Sequence, residues 1–152
     1  LVGQSIGASR RKLAKQFATI TVTMGGIIMG LMGVLLYMIA PLMMGILTPV
    51  PEIIAQGAAA LRIEAFAEPF FAIGIVSYGV FVGAGDTLIP CGINLAIMWG
   101  VRITLSAILA PTMGLQGVWT AMCIELIFRG VMYLIRLRSG RWIKIKEAQP
   151  AT

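Results

Sequence analysis

Histidine is absent from this 152-residue chain, and cysteine occurs only twice, at Cys91 and Cys123. Without histidine there is no Ser-His-Asp triad and no imidazole proton shuttle. The two cysteines lie far apart in apolar surroundings with no CxxC between them. They supply neither a disulfide framework nor a thiolate metal site, and read as small buried side chains. Charge is scarce as well: 12% of the residues are Asp, Glu, Lys or Arg, against about 25% in ordinary soluble domains.

Apolar residues fill the chain instead. They make up 59% of it, and the mean hydropathy is +0.93. A folded chain of about 150 residues still exposes roughly 30% of its unfolded surface. This much apolar surface cannot be hidden in a core of that size. Composition therefore excludes a soluble globular enzyme, a disordered tail and a disulfide scaffold, and leaves an all-α integral membrane protein.

The net charge is +6, from 12 Lys plus Arg against 6 Asp plus Glu. Its placement points away from nucleic acid as a partner. Arg10, Arg11, Lys12 and Lys15 form one cluster, and Arg136, Arg138, Arg141, Lys144 and Lys146 form another. Both flank the apolar region, where the positive-inside rule puts them, rather than forming a basic stripe.

Four spans fit between the clusters. No charge occurs between Lys15 and Glu52, and about 20 apolar residues cross a bilayer. The first span is set at 19–47, with Gly25, Gly26, Gly30 and Gly33 as close-packing positions. Pro49-Val50-Pro51 breaks it. The second span is about 61–82, and the loop Gly83-Ala84-Gly85-Asp86-Thr87 follows. Asp86 or Thr87 is placed to cap the next helix, and Pro90 is tolerated in its first turn. The third span is about 88–110, closed by a turn at Pro111-Thr112-Met113-Gly114. The fourth is about 115–137, with Trp142 beyond it at the headgroup level. Residues 1–16 read as a helix end plus a basic loop, and 138–152 as a basic tail. Four crossings put both basic segments on one side, the cytoplasm.

Six charges fall within or at the edges of the spans: Arg62, Glu64, Glu68, Arg102, Glu125 and Arg129. Each costs about 2.5–3.5 kcal/mol at a helix centre on insertion scales, so each must face protein, water or a partner. Glu125 and Arg129 are an i, i+4 pair in the favourable order. Arg102 falls at a similar depth, so Arg102, Glu125 and Arg129 are expected to form a structural ion network. Glu64 and Glu68 share a helix face, and Glu68 precedes Pro69. A carboxylate beside a helix break is a recurring cation or proton site in transporters. Arg62 is expected to neutralise Glu64, which leaves Glu68, then Glu64, as the coupling candidates. Phe70, Phe71 and Tyr78 are candidates for an apolar wall against a lipophilic substrate.

These motifs, taken in order, resemble the multidrug and toxic compound extrusion (MATE) transporters. Leu1-Val2-Gly3-Gln4 with Gly7-Ala8 is similar to that family's LVGQxxGA signature. Glu68-Pro69-Phe70-Phe71 and Gly83-Ala84-Gly85-Asp86-Thr87 resemble its RGAGDT turn and the helix before it. Trp99, Arg102, Gly114-Leu115-Gln116-Gly117-Val118-Trp119, Glu125, Arg129 and Arg138-Ser139-Gly140-Arg141-Trp142 resemble its last two helices. Two departures stand out. Val82 replaces the arginine before the turn, and Phe70, Phe71 and Ala72 supply no acid after the proline.

The resemblance implies a twelve-helix protein of two six-helix bundles, of which this chain is a C-terminal fragment: the end of helix eight and helices nine to twelve. It implies export of lipophilic organic cations in exchange for Na+ or H+, with no other cofactor. The implied surroundings are a lipid bilayer, the bacterial cytoplasmic membrane, and the implied partner is the N-terminal bundle. The chain would be inactive alone. The rival reading is a small structural four-helix membrane subunit that assembles with a partner.

Overall fold

The computed structural model describes residues 1–144; Lys146 and the rest of the expected basic tail lie outside them. Helix α1 is Val2–Gly7, α2 is Arg11–Leu47 and α3 is Pro51–Gly83. Then come α4, Leu88–Ile97, a π-helical segment Met98–Ile103, and α5, Thr104–Met113. Helix α6 is Leu115–Ser139. The stretch α4–π–α5 counts as one, so among the described residues four helices are long and apolar enough to cross a membrane.

The spans outrun their sequence boundaries at the ends. Helix α2 starts at Arg11, directly after the turn that follows α1. Its Thr19, Thr21 and Thr23 hydroxyls donate to carbonyls one turn back, which satisfies them without water. Helix α3 starts at Pro51 rather than near 61. Proline fits the first helical position, where its missing N–H costs nothing, and Glu52 follows in the first turn. The turn expected at 111–114 shrinks to Gly114. The helix carries Pro111 and stops only where Gly114 takes φ +62°, a conformation that side chains with a Cβ resist.

Helix α3 is the hub. It packs on α2 along one side and on α6 along the other, while α5 and the π segment pack on α6. In its most apolar stretch α3 is 39% buried, against 6% for the α4–π–α5 span, which lies at the edge of the bundle. The α2 glycines do pack against α3: Gly25 and Gly26 meet Val76 and Ile73, and Gly30 meets Pro69. Gly33 is the tightest, because a Cβ there would come within 2.7 Å of the Ala65 carbonyl oxygen. That carbonyl is the one Pro69 leaves without an N–H donor.

The basic segments meet at one end of the bundle, where the Arg11 guanidinium donates to the Gly140 carbonyl at 3.5 Å. Gly140, at φ +69°, turns the chain back after α6. Trp142 consequently does not sit in a headgroup belt. It is fully buried in a core with Ala18, Val22, Val80, Phe81, Tyr133, Leu137 and Ile143. Its indole N–H donates to the Leu137 carbonyl at 3.0 Å, so its single polar group is satisfied within the protein.

Candidate functional site

Two adjoining cavities lie along the α3–α6 seam. The first, about 230 Å³, is lined by Glu64, Ala67, Glu68 and Phe71 of α3, Arg102 of the π segment, and Met122, Glu125, Leu126 and Arg129 of α6. The second, about 160 Å³, is lined by Phe70, Phe71, Gly74, Ile75 and Tyr78 of α3, Asn94 of α4, and Leu126, Arg129 and Tyr133 of α6. Phe71, Leu126 and Arg129 belong to both. The five charged residues and the three aromatic candidates therefore line one continuous seam.

Helix geometry sets the depth. At 1.5 Å rise per residue, Glu68 lies about 22 Å from the end of α3 at Gly83, and Glu125 about 21 Å from the end of α6 at Ser139. Arg102 lies about 21 Å from the start of its span at Leu88. All three stand at one level, deep within the spans.

Glu64 and Glu68 face the same cavity, as their i, i+4 spacing requires. Glu125 has no exposed surface and pairs with Arg129. The expected three-member network is not formed. Arg102 lines the cavity but has no carboxylate within ion-pairing distance among the described residues. Arg129 is one turn from Glu125 on the same helix, so that pair closes without ordering a second helix. Arg62 does not neutralise Glu64 either. Residues two apart point to different helix faces, and the Arg62 guanidinium instead lies 5.1 Å over the Tyr37 ring.

Satisfaction is incomplete in this cavity. One carboxylate oxygen of Glu68, one of Glu125 and the Arg129 Nε are buried without a hydrogen-bond partner. Three carboxylates face two guanidiniums, so with all groups ionised the cavity is one positive charge short. Among the described residues, no three His, Cys, Asp or Glu side chains converge on a common metal position. The three carboxylates are thus spread along the cavity rather than gathered at one point.

A second charge cluster sits at the basic end. Asp86 is 1% exposed and bonds to Arg136 of α6, while the Lys144 ammonium lies 3.2 Å away. Burial by itself raises the carboxyl pKa, but hydrogen bonds from Arg136 and Lys144 outweigh it and hold Asp86 below its ordinary value. The Arg136 guanidinium also lies 5.7 Å over the Phe81 ring. Asp86 is thus no helix cap. Thr87 holds the cap position of α4 and makes no side-chain cap bond. The signal available in the sequence was an Arg near the end of a span and an Asp in a turn with no cation beside it.

Residues 1–108 match the family model described as MatE. The chain is 28% identical over 114 residues to a probable multidrug resistance protein NorM of Thermotoga maritima, covering 74% of this chain and 25% of that protein. It is 26% identical over 143 residues to a probable multidrug resistance protein NorM of Idiomarina loihiensis, covering 90% of this chain and 31% of that one. It is also 26% identical over 148 residues to the multidrug and toxin extrusion protein 2 of Mus musculus, covering 96% of this chain and 26% of that one. The chain thus spans about a quarter to a third of the length of these curated relatives.

Proposed function

Because this chain belongs to the MatE family, we propose that its four spans form part of a drug-exporting antiporter driven by Na+ or H+. The observation that carries this reading is the charge count of the α3–α6 cavity. Glu64, Glu68 and Glu125 face Arg102 and Arg129, and one monovalent cation completes the balance. A low-dielectric site rewards that neutralisation strongly. Glu68 holds the coupling cation, because Glu125 is already paired with Arg129, whereas Glu68 has no ion-pair partner among the described residues. Glu64 is its neighbour on the same face.

Phe70, Phe71 and Tyr78 supply the wall of the adjoining cavity. A lipophilic organic cation lies against such ring faces by cation–π attraction and burial of its apolar body. It brings its own positive charge to the same seam, so it and the coupling ion neutralise the same deficit. Two cations that cannot both be accommodated are exchanged rather than carried together, which is the logic of antiport. Transport requires the complementary bundle, with one half rocking against the other around the site. These spans alone leave the cavity half open, so the chain by itself does not transport. In a bacterial cytoplasmic membrane both basic segments and the C-terminus face the cytoplasm.

The test is drug efflux from cells expressing the whole transporter, with Glu68 intact or as Glu68→Gln, under separate sodium and proton gradients. Loss of efflux from a variant that still inserts supports the assignment, and the responding gradient identifies the ion. Full efflux by the variant removes Glu68 from the coupling step.

A further inference from the structure

A groove of about 270 Å³ lies between α2 and α6 at the basic end of the bundle. Two helix faces line it. Lys15, Thr19, Val22 and Thr23 fall on one face of α2, and Leu134, Leu137 and Arg138 on one face of α6. Depth orders them by polarity. Lys15 stands about 6 Å inside the start of α2 at Arg11, and Arg138 about 1.5 Å from the end of α6 at Ser139. Thr23 lies about 12 Å deeper than Lys15, and Leu134 about 6 Å deeper than Arg138. The Thr19 and Thr23 hydroxyls donate to carbonyls of their own helix at 2.9 and 2.7 Å, so the floor offers no free donor. Val22 and Leu137 are buried in it. Neither Lys15 nor Arg138 has a carboxylate within ion-pairing distance among the described residues. Asp86, the acid at this end, is already bonded to Arg136 and Lys144.

We propose that this groove holds an anionic phospholipid, with its phosphate between Lys15 and Arg138 and the start of one acyl chain against Val22, Leu134 and Leu137. Basic pockets between membrane helices select anionic headgroups. Arg138 offers paired N–H donors to phosphate oxygens, and Lys15 a point charge on a flexible stem. The order of polarity identifies the occupant. A free phosphate gains nothing from the apolar floor. An acidic peptide would bring backbone polar groups to a floor that has no donor for them. A lipid carries its charge and its hydrocarbon in the same order as the groove does. Such a site is independent of the ion chemistry in the α3–α6 cavity.

The experiment titrates the whole transporter, in neutral detergent, with dioleoylphosphatidylglycerol and counts bound lipid by native mass spectrometry. Dioleoylphosphatidylcholine and inorganic phosphate are the comparison probes. Lys15→Gln/Arg138→Gln removes the cationic mouth, and Lys15→Arg/Arg138→Lys preserves it. Thr23→Phe fills the floor without changing charge. Arg10→Gln/Lys12→Gln removes the same charge outside the groove. One basic residue near a membrane surface is worth about five-fold in binding. Lys15→Gln/Arg138→Gln is therefore expected to bind phosphatidylglycerol about 25-fold more weakly, and the charge-preserving pair to match wild type. Thr23→Phe displaces about two methylenes of the acyl chain and should weaken binding about ten-fold. Arg10→Gln/Lys12→Gln should stay within about five-fold of wild type, because screening blunts charges outside the groove. Equal losses in the two charge-removing pairs overturn the proposal, since the lipid is then drawn to the basic end at large. An unaffected Thr23→Phe variant, or phosphate bound as tightly as lipid, overturns the seated acyl chain and the proposal with it. So does a wild type that binds phosphatidylcholine equally well or binds neither lipid, the groove then being filled by the rest of the transporter.

Discussion

The molecule buries acid–base groups in two places and treats them differently. At the basic end, Asp86 meets Arg136 and Lys144 within a shell of Phe81, Tyr133 and Trp142. One acid has two cations there. At mid-span, three acids meet two cations beside open volume; buried polar atoms without a hydrogen bond occur in both places, Asp86 Oδ1 and Arg136 Nε at the basic end, Glu68 and Glu125 oxygens and Arg129 Nε at mid-span. The first arrangement fastens α3, α6 and the returning chain together. The second, on the function proposed above, has a charge deficit that a cation completes. The difference lies in balance rather than charge as such: two cations surround one acid at the basic end, and three acids share two cations at mid-span.

The comparison can be broken from either side. Trp142→Ala removes the largest fully buried side chain of the basic end, and a loss of about 3–5 kcal/mol is expected in mixed-micelle unfolding. Asp86→Asn strips Arg136 of its carboxylate, and the same assay should register a loss of about 3 kcal/mol, because a buried charge is left without its partner. Gly33→Ala pushes a methyl group against the Ala65 carbonyl, directly behind the Glu68 backbone. It should cost about 1–3 kcal/mol and disturb the cavity rather than the basic end.

A smaller effect comes from acid. The Asp86 pKa is depressed in the folded state, so its contribution is fully present above its unfolded value near 3.9 and is lost as pH falls through the lower folded value. Unfolding measured between pH 7 and pH 5 should therefore show no change that Asp86→Asn abolishes. The difference between the two proteins should be full-sized between pH 7 and pH 5 and should shrink only as pH falls below about 3.9, as the native Asp86 becomes protonated.

Much of the architecture was legible in the chain. In a bilayer an uncharged run of about 20 residues has few alternatives to a helix, so four spans follow from hydropathy. The shared face of Glu64 and Glu68 and the Glu125–Arg129 pair follow from the helical repeat, which is local information. What was misread is long-range. Asp86 looked like a cap because capping is a local rule, and its true partner stands 50 residues away on α6. Trp142 looked like a headgroup anchor because nothing local shows that Gly140 turns the chain back into the core. Arg102 was placed in a network by depth alone, and depth does not say which face a π-helical turn presents. The helices run beyond the expected spans, to Arg11 and Pro51, because helical hydrogen bonding can continue past the apolar stretch that hydropathy reads.

The most direct measurement is unfolding of Glu68→Gln and Glu125→Gln in the same bilayer or mixed micelle. Glu125→Gln leaves the half-buried Arg129 without its carboxylate and should lose about 3 kcal/mol. Glu68→Gln removes a carboxylate with no committed partner and should stay within about 0.5 kcal/mol of wild type. Equal losses in the two variants would contradict the distinction, because Glu68 would then be a clasp like Asp86 and the cavity would have no vacancy for a cation.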